Sequence, residues 1–260
     1  MKDYLFSKEF IALNDLIISE GLNDNKEIIA KLPVKLKKLI AKIESLGLNI
    51  YFKKYSDMLW FSDDMGVDAE TGTTFLYESG KDFVLHVPLE YFNEESLAQK
   101  LVYLWFKQTM PIKHNNKKFN PEDTSSLLMY FHVFLENKLL TTMTERELQE
   151  NLGYWVLPKI YKDYDNVYSA LAKNKDHVEN MPIIIYLPTC MMELFVLDPG
   201  FAKKQLKKIR KLSPAMGKLC DKIIAVLEKN NYCTTKEDFA ACLEEFHKIY
   251  ETDFVAAGVY

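Results

Sequence analysis

Hydrophobic positions near the start of the chain recur at helical spacing. Residues 7–20 carry their apolar side chains on one broad side, which predicts a helix that stops near Gly21. A second apolar series, at intervals of three and four, runs from residue 24 to residue 46. Pro33 interrupts this series, so we expect either a kink or a new helical start at the proline. Gly47 directly follows the series, as is typical of a helix C-terminus.

Short aromatic and β-branched runs replace the helical spacing between residues 49 and 88. The paired runs are 49–55 with 58–61, and 73–77 with 82–87. Gly80 favours a tight turn within the second pair. We therefore expect a small sheet of antiparallel hairpins, with Trp60 and Phe75 largely buried. His86 alternates with the apolar residues of its strand, so we expect it at the surface or beside the following helix.

From residue 93 onward the apolar spacing is helical almost throughout. Asn93 is a typical N-cap, and Thr144 with Glu147 fits a capping box. The most apolar run, residues 181–188, fits either a buried strand or part of a helix. Three amphipathic helices are expected after it, near 191–212, 214–229 and 235–250. The pattern predicts a predominantly α-helical α+β fold, in which the small antiparallel sheet is flanked by N-terminal helices and a larger C-terminal helical region.

A polar loop at residues 111–122 is the best candidate for a domain boundary, because it contains two prolines and separates two apolar series. It would divide an α+β unit, residues 1–110, from a helical unit, residues 123–260. A single continuous domain is an equal alternative, since connections of this length occur inside domains.

Composition limits the class of protein without identifying a function. The chain has 260 residues, of which 48% are hydrophobic and 27% charged, as is usual for a globular protein. A net charge of −4 argues against a protein devoted to nucleic acid. The four cysteines show no Cys-x-x-Cys spacing, which favours reduced thiols in a cytoplasmic protein. No apolar run approaches the roughly 20 residues of a membrane span.

Familiar catalytic motifs are missing from the sequence. It contains no glycine-rich phosphate loop, no Gly-x-Ser-x-Gly and no His-Glu-x-x-His. We therefore expect no cofactor and favour binding over catalysis.

His132 and Glu136 are the strongest candidates for a chemical site. They are four residues apart on a predicted helix and therefore project from one face, as two metal ligands would. No third ligand can be identified, and a hydrogen-bonded core histidine explains the same pattern. The strand near 82–88 and the helix near 93–109 follow the order found in zinc peptidases, but this helix contains no histidine. The alternative to a binding protein is thus an enzyme with a dispersed site, such as a metal-dependent hydrolase or a degenerate zinc-peptidase-like domain using His132 and Glu136.

A basic amphipathic helix is the most distinctive local charge feature. Six cations fall within nine residues without an acid among them: Lys203, Lys204, Lys207, Lys208, Arg210 and Lys211. Such a face could bind an anionic partner. Acids on the last helix could instead balance it internally, and the sequence favours this second interpretation: Glu237, Asp238, Glu244 and Glu245.

Aromatic residues near the middle of the chain are a second candidate surface. The cluster around Tyr154 and Trp155 also includes Tyr161, Tyr164 and Tyr168, and could line a groove or pack a helical core. We therefore predict a soluble, cytoplasmic interaction protein that binds a protein partner through the aromatic or basic faces of its C-terminal helices. The candidate binding residues are Tyr154, Trp155, Lys204, Lys207, Lys208, Arg210 and Lys211. Nucleic acid is not expected as a partner, and assembly with further copies of the chain is compatible with the sequence.

Overall fold

The structure is a computed structural model that describes residues 8–20, 24–55, 74–88, 93–110, 124–173 and 181–256. The chain divides into two compact units, Met1–Trp105 and Phe106–Tyr260. The division falls within a helix, α4, at Glu94–Thr109. The loop at 111–122, where a boundary was predicted, lies outside the described residues.

The first unit combines helices with the sheet. Its described elements before α4 are α1 Lys8–Glu20, α2 Asp24–Lys31, α3 Val34–Glu44, β1 Asn49–Tyr55, β2 Phe75–Ser79 and β3 Asp82–Pro88. Pro33 separates α2 from α3 and takes an extended conformation as the N-cap of α3. Gly47 has a φ of +78° and its N–H donates to the Glu44 carbonyl, so the predicted C-terminal role of this glycine is confirmed.

The sheet is mixed, which corrects the prediction of a purely antiparallel one. The strand order is β1-β3-β2. β2 and β3 form the predicted hairpin, and Gly80 at its turn has a φ of +63°. β1, however, pairs parallel to β3, with Phe52 opposite Leu85. The predicted strand 58–61, Trp60 and the side chain of Phe75 lie outside what the structure describes.

β3 is the central strand and is buried along both faces. Every residue from Phe83 to Pro88 is buried. α1 packs against β3 and β1, and α2 packs against β1. The Asn25 side chain of α2 accepts from the Phe52 N–H and donates to the Ile50 carbonyl, so it covers backbone groups of edge strand β1.

The second unit is helical. After the end of α4, it contains α5 Thr124–Glu150, α6 Leu157–Lys173, α7 Met181–Leu197, α8 Pro199–Leu212, α9 Pro214–Lys229, a short 3₁₀ turn at Asn231–Cys233, and α10 Lys236–Ala256. The apolar run near 181–188 is therefore helical, with Pro188 inside α7. α7 contacts α5, α6, α8 and α9, and its residues from Leu187 to Phe195 are all buried, as expected of a central helix.

The fold is thus the predicted predominantly helical α+β class. All four cysteines are buried free thiols: Cys190, Cys220, Cys233 and Cys242. Within the described ranges, no helix has the length and apolar character needed to cross a membrane.

Candidate functional site

The basic face predicted from the sequence lies on α8. Asp198 caps this helix, since its Oδ1 accepts from the Phe201 N–H at 2.9 Å, and Pro199 occupies the first turn. The side chains that α8 turns inward recur at spacings of three and four: Ala202, Gln205, Leu206 and Ile209. The six cations occupy the intervening positions and are all exposed.

Five of the six cations on α8 form no ion pair within 4.0 Å in the described part of the chain. They are Lys203, Lys204, Lys207, Lys208 and Lys211. Arg210 differs, because its guanidinium binds the carboxylate of Asp221 on α9 at 2.6 and 3.3 Å. The hydroxyl of Tyr161 and the amide of Phe201 lower the pKa of Asp198, with a smaller contribution from the charge of Lys204.

The acids on α10 do not supply the expected internal balance. Glu245 binds Lys229 and Glu244 binds Lys248, each at 2.9 Å. The carboxylate of Asp238 accepts from Thr234 and from the backbone of Thr235. These acids therefore serve the local structure of α9 and α10.

The segment Pro199–Lys229, comprising α8 and α9, concentrates positive charge. It contains nine cations and two carboxylates, a formal charge of +7, whereas the whole chain carries −4. The two helices form a strongly basic hairpin on an otherwise acidic protein.

A groove of about 470 Å³ lies between α8 and α9. Its apolar lining comes from Phe195, Leu206, Ile224 and Ala225. Its charged lining comes from Lys203, Lys207 and Arg210 on α8, and from Asp221 and Glu228 on α9. On both helices these positions recur at i, i+3, i+4 and i+7, so one ridge of each helix forms a wall.

Gly217 allows α8 and α9 to approach each other closely. A Cβ at this position would lie 2.6 Å from Cγ and 3.0 Å from Cα of Arg210. Real Cβ atoms are almost never that close to another heavy atom. The groove therefore lies beside a tight glycine contact and the Arg210–Asp221 ion pair.

The aromatic candidates are divided between surface and core. Trp155 is 74% exposed, whereas Tyr164 is 1% exposed. The ring of Tyr164 packs against Tyr168 and against Phe201 of α8. Core packing thus accounts for Tyr164. Tyr154 is partly buried, and its N–H donates to the Leu148 carbonyl at 2.9 Å.

His132 and Glu136 both lie on α5 of the helical unit. The ring of His132 stacks on that of His247, with centroids 3.9 Å apart, and its Nε2 lies 3.3 Å from Oε1 of Glu251. Glu136 is buried, at 3% exposure. Among the residues the structure describes, no three His, Cys, Asp or Glu side chains are placed to hold a metal ion.

A buried charged cluster in the helical unit was missed by sequence reasoning. The ammonium of Lys138 on α5 binds the carboxylate of Glu193 on α7, and Glu193 is 2% exposed. Glu145 lies about two turns after Lys138 on α5 and is 3% exposed. Its Oε1 is 3.6 Å from Nζ of Lys159 on α6. The sequence feature that indicated this cluster is Glu193, because it is the only charged residue in the sequence of α7.

The surroundings of this cluster shift the pKa values of its groups. Burial and the neighbouring Glu193 raise the pKa of Glu145 to about 7. Burial alone would lower the pKa of Lys138, but the charge and hydrogen bond of Glu193 outweigh it and raise that pKa. The cluster therefore combines a partly exposed ammonium with two buried acidic side chains, of which Glu145 gains or loses its proton near neutral pH.

His86 is buried in the first unit, which rules out the surface, one of the two positions predicted for it. It is 2% exposed, and its Nε2 lies 2.7 Å from Oδ1 of Asn14 on α1. Burial, together with the charge of Lys53, lowers its pKa to about 4. The surface position was wrong because α1 covers the face of β3 that strand alternation left open.

Comparison with known proteins gives no relative: no family model, curated protein or solved structure matches the chain.

Proposed function

We propose that this protein is an interaction protein that binds an acidic segment of a partner protein through the basic face of α8. The observation that carries the proposal is the set of five exposed lysines without an ion-pair partner in the described chain, on a helix whose other side is buried. Unpaired exposed cations remain available to an incoming anion.

Folding stability does not explain most of these lysines; the exception is Lys211, which lies in the last turn of α8, where a cation favours the helix dipole. Lys203 and Lys207 are four residues apart, as are Lys204 and Lys208. Like charges at this spacing destabilise a helix by roughly 0.2–0.5 kcal/mol per pair. An interaction with an external anion would relieve that repulsion, so binding accounts for a charge pattern that folding does not favour.

An acidic protein fits the surface better than a nucleic acid does. The chain outside Pro199–Lys229 is strongly acidic, since the whole carries −4 despite the +7 of this segment. A stiff nucleic-acid duplex would extend beyond the basic hairpin and meet that negative charge, whereas a short or flexible acidic segment would not. The groove beside the lysines has an apolar floor and an exposed Ala225, which also suit a peptide with hydrophobic side chains.

Trp155 is a second proposed contact. A tryptophan that is 74% exposed presents a large apolar surface to solvent, and tryptophan is enriched among residues that dominate protein interfaces. With the neighbouring Tyr154, it could anchor the same partner.

The proposal is tested with two quadruple variants that lose the same charge. The α8 variant replaces Lys204, Lys207, Lys208 and Lys211 by Gln. The dispersed control replaces four exposed lysines on other helices by Gln: Lys26, Lys38, Lys162 and Lys236. Binding to fluorescent poly-L-glutamate should weaken with salt for the wild type and be lost in the α8 variant alone. Equal loss in both variants, or tighter binding to duplex DNA than to poly-L-glutamate, would overturn the proposal.

A further inference from the structure

The groove between α8 and α9 adjoins the basic face and has a different character. Its centre is apolar, with Leu206 from α8, Ile224 from α9 and Phe195 from α7. Cations occupy one wall and carboxylates the other. These three side chains are at most 7% exposed, so they form the floor of the groove, and Ala225 is its exposed apolar residue.

We infer that the groove binds one face of an acidic amphipathic α-helix from a partner protein. The inference rests on the proposed function, and it specifies the conformation and the side-chain pattern of the acidic segment. Apolar side chains at i, i+3, i+4 and i+7 would enter the groove, while flanking carboxylates would meet the exposed lysines of α8.

The shape of the groove supports a helix as its occupant. Two antiparallel ridges of about two turns each form its walls, from Lys203 to Arg210 and from Asp221 to Glu228. A volume of about 470 Å³ is at the lower end of the range for binding pockets, so it suits a few side chains rather than a whole domain. An amphipathic helix supplies such a row of a few apolar side chains.

The charges of the two walls also determine which side of the bound helix faces α8 and which side faces α9. On α9, Asp221 is already paired with Arg210, so Glu228 is the carboxylate of this wall that has no ion-pair partner within 4.0 Å in the described chain. On α8, Lys203 and Lys207 have no such partner either. A bound helix with its acids toward α8 and a basic residue toward Glu228 would match both walls.

Ala225 provides a substitution that tests the groove without disturbing the core. It lines the groove but is exposed. Ala225→Glu would place a bulky negative charge in the groove, whereas Ala225→Ser is a conservative control at the same site. Lys207→Glu is a second variant, at an exposed wall position.

The experiment compares two synthetic peptides of about 20 residues, a length that allows a stable helix. Both contain the same leucines and glutamates, but only one has leucine at i, i+3, i+4 and i+7. Fluorescence anisotropy should show the patterned peptide binding the wild type at least about tenfold more tightly than the scrambled peptide. Ala225→Glu and Lys207→Glu should each remove most of that preference, and Ala225→Ser should keep it.

The outcomes separate this inference from the proposed function. If both peptides bind the wild type equally, lose affinity for the α8 variant and keep it for Ala225→Glu, the inference about the groove is overturned. The proposal that the basic face of α8 binds acidic segments would then be supported. Failure of both peptides to bind the wild type would overturn both proposals. If the scrambled peptide binds more tightly than the patterned peptide, the inference about the groove is overturned and the proposed function is not.

Discussion

The ammonium of Lys138 donates a hydrogen bond to the carboxylate of Glu193 inside the helical unit. The two residues come from α5 and α7, and Glu193 is 2% exposed. The Glu193 carboxylate is held away from water and depends on the ammonium for its solvation, whereas the Lys138 side chain is 22% exposed. This pair ties the longest described helix of the unit to its central helix.

Removing one partner of this pair should destabilise the protein strongly. Lys138→Met leaves the Glu193 carboxylate buried beside Glu145, and we expect the free energy of unfolding to fall by about 3–5 kcal/mol. The double variant Lys138→Met with Glu193→Leu should lose less than the single variant, because no unpaired charge remains. Urea unfolding followed by circular dichroism measures both. A double variant that is less stable than Lys138→Met would contradict this account.

Glu145 should make the protein less stable as the pH rises toward 8. Its pKa is about 7 in the folded state, against an ordinary value of 4.5 for an unfolded chain, so between these values the folded state holds the extra proton. The stability it contributes is complete below pH 4.5 and is lost as pH rises through 7, by an amount on the order of 3 kcal/mol. Glu145→Gln cannot ionise, so the difference in unfolding free energy between wild type and variant should fall over pH 5–8. A constant difference would exclude this titration.

His86, in the first unit, should make the protein less stable as the pH falls, which is the opposite pH dependence to that of Glu145. Its pKa is lowered from 6.5 to about 4, so the unfolded state binds the proton more readily between these values. The stability that neutral His86 contributes is complete above pH 6.5 and is lost as pH falls through 4. His86→Gln should therefore reduce the loss of stability on acidification, as measured by urea unfolding at pH 7 and pH 4.5. An unchanged acid sensitivity would show that His86 is not responsible.

Gly217 should tolerate no side chain. Gly217→Ala improves helix propensity by about 1 kcal/mol, but its Cβ would meet Arg210 at 2.6 Å. Overpacking of this kind costs typically about 1–3 kcal/mol, so we expect a lower melting temperature. Gly200→Ala is the matched control in α8, because its Cβ would have ordinary contact with Asp198 at 3.4 Å. If both variants melt alike, the close contact of α8 and α9 is not required.

Local spacing was sufficient to predict most of the helices and one hairpin. The amphipathic pattern of α8 and α9 is strong, and Gly80 identifies the β2–β3 turn. The partner of β1 could not be predicted in the same way. A strand's own residues do not say whether its neighbour is parallel, and β3 is buried on both faces because it is central.

The candidate sites depended on contacts between residues far apart in sequence. The basic face of α8 was predictable, because all six cations belong to one helix. The ion pair between Glu245 and Lys229 was not predictable, because it depends on how α10 packs against α9. The Lys138–Glu193 pair joins residues 55 positions apart, and only the isolated charge within α7 indicated it.

The most direct test of the central claim is the affinity of the two quadruple variants for labelled poly-L-glutamate under the same low-salt conditions. Both variants lose four lysines, so their net charges are equal. If the basic face of α8 binds acidic partners, the α8 variant should bind at least about tenfold more weakly than the dispersed control, with a melting temperature no lower than that of the control. Equal affinities for the two variants would show that only overall charge matters, and would contradict the claim.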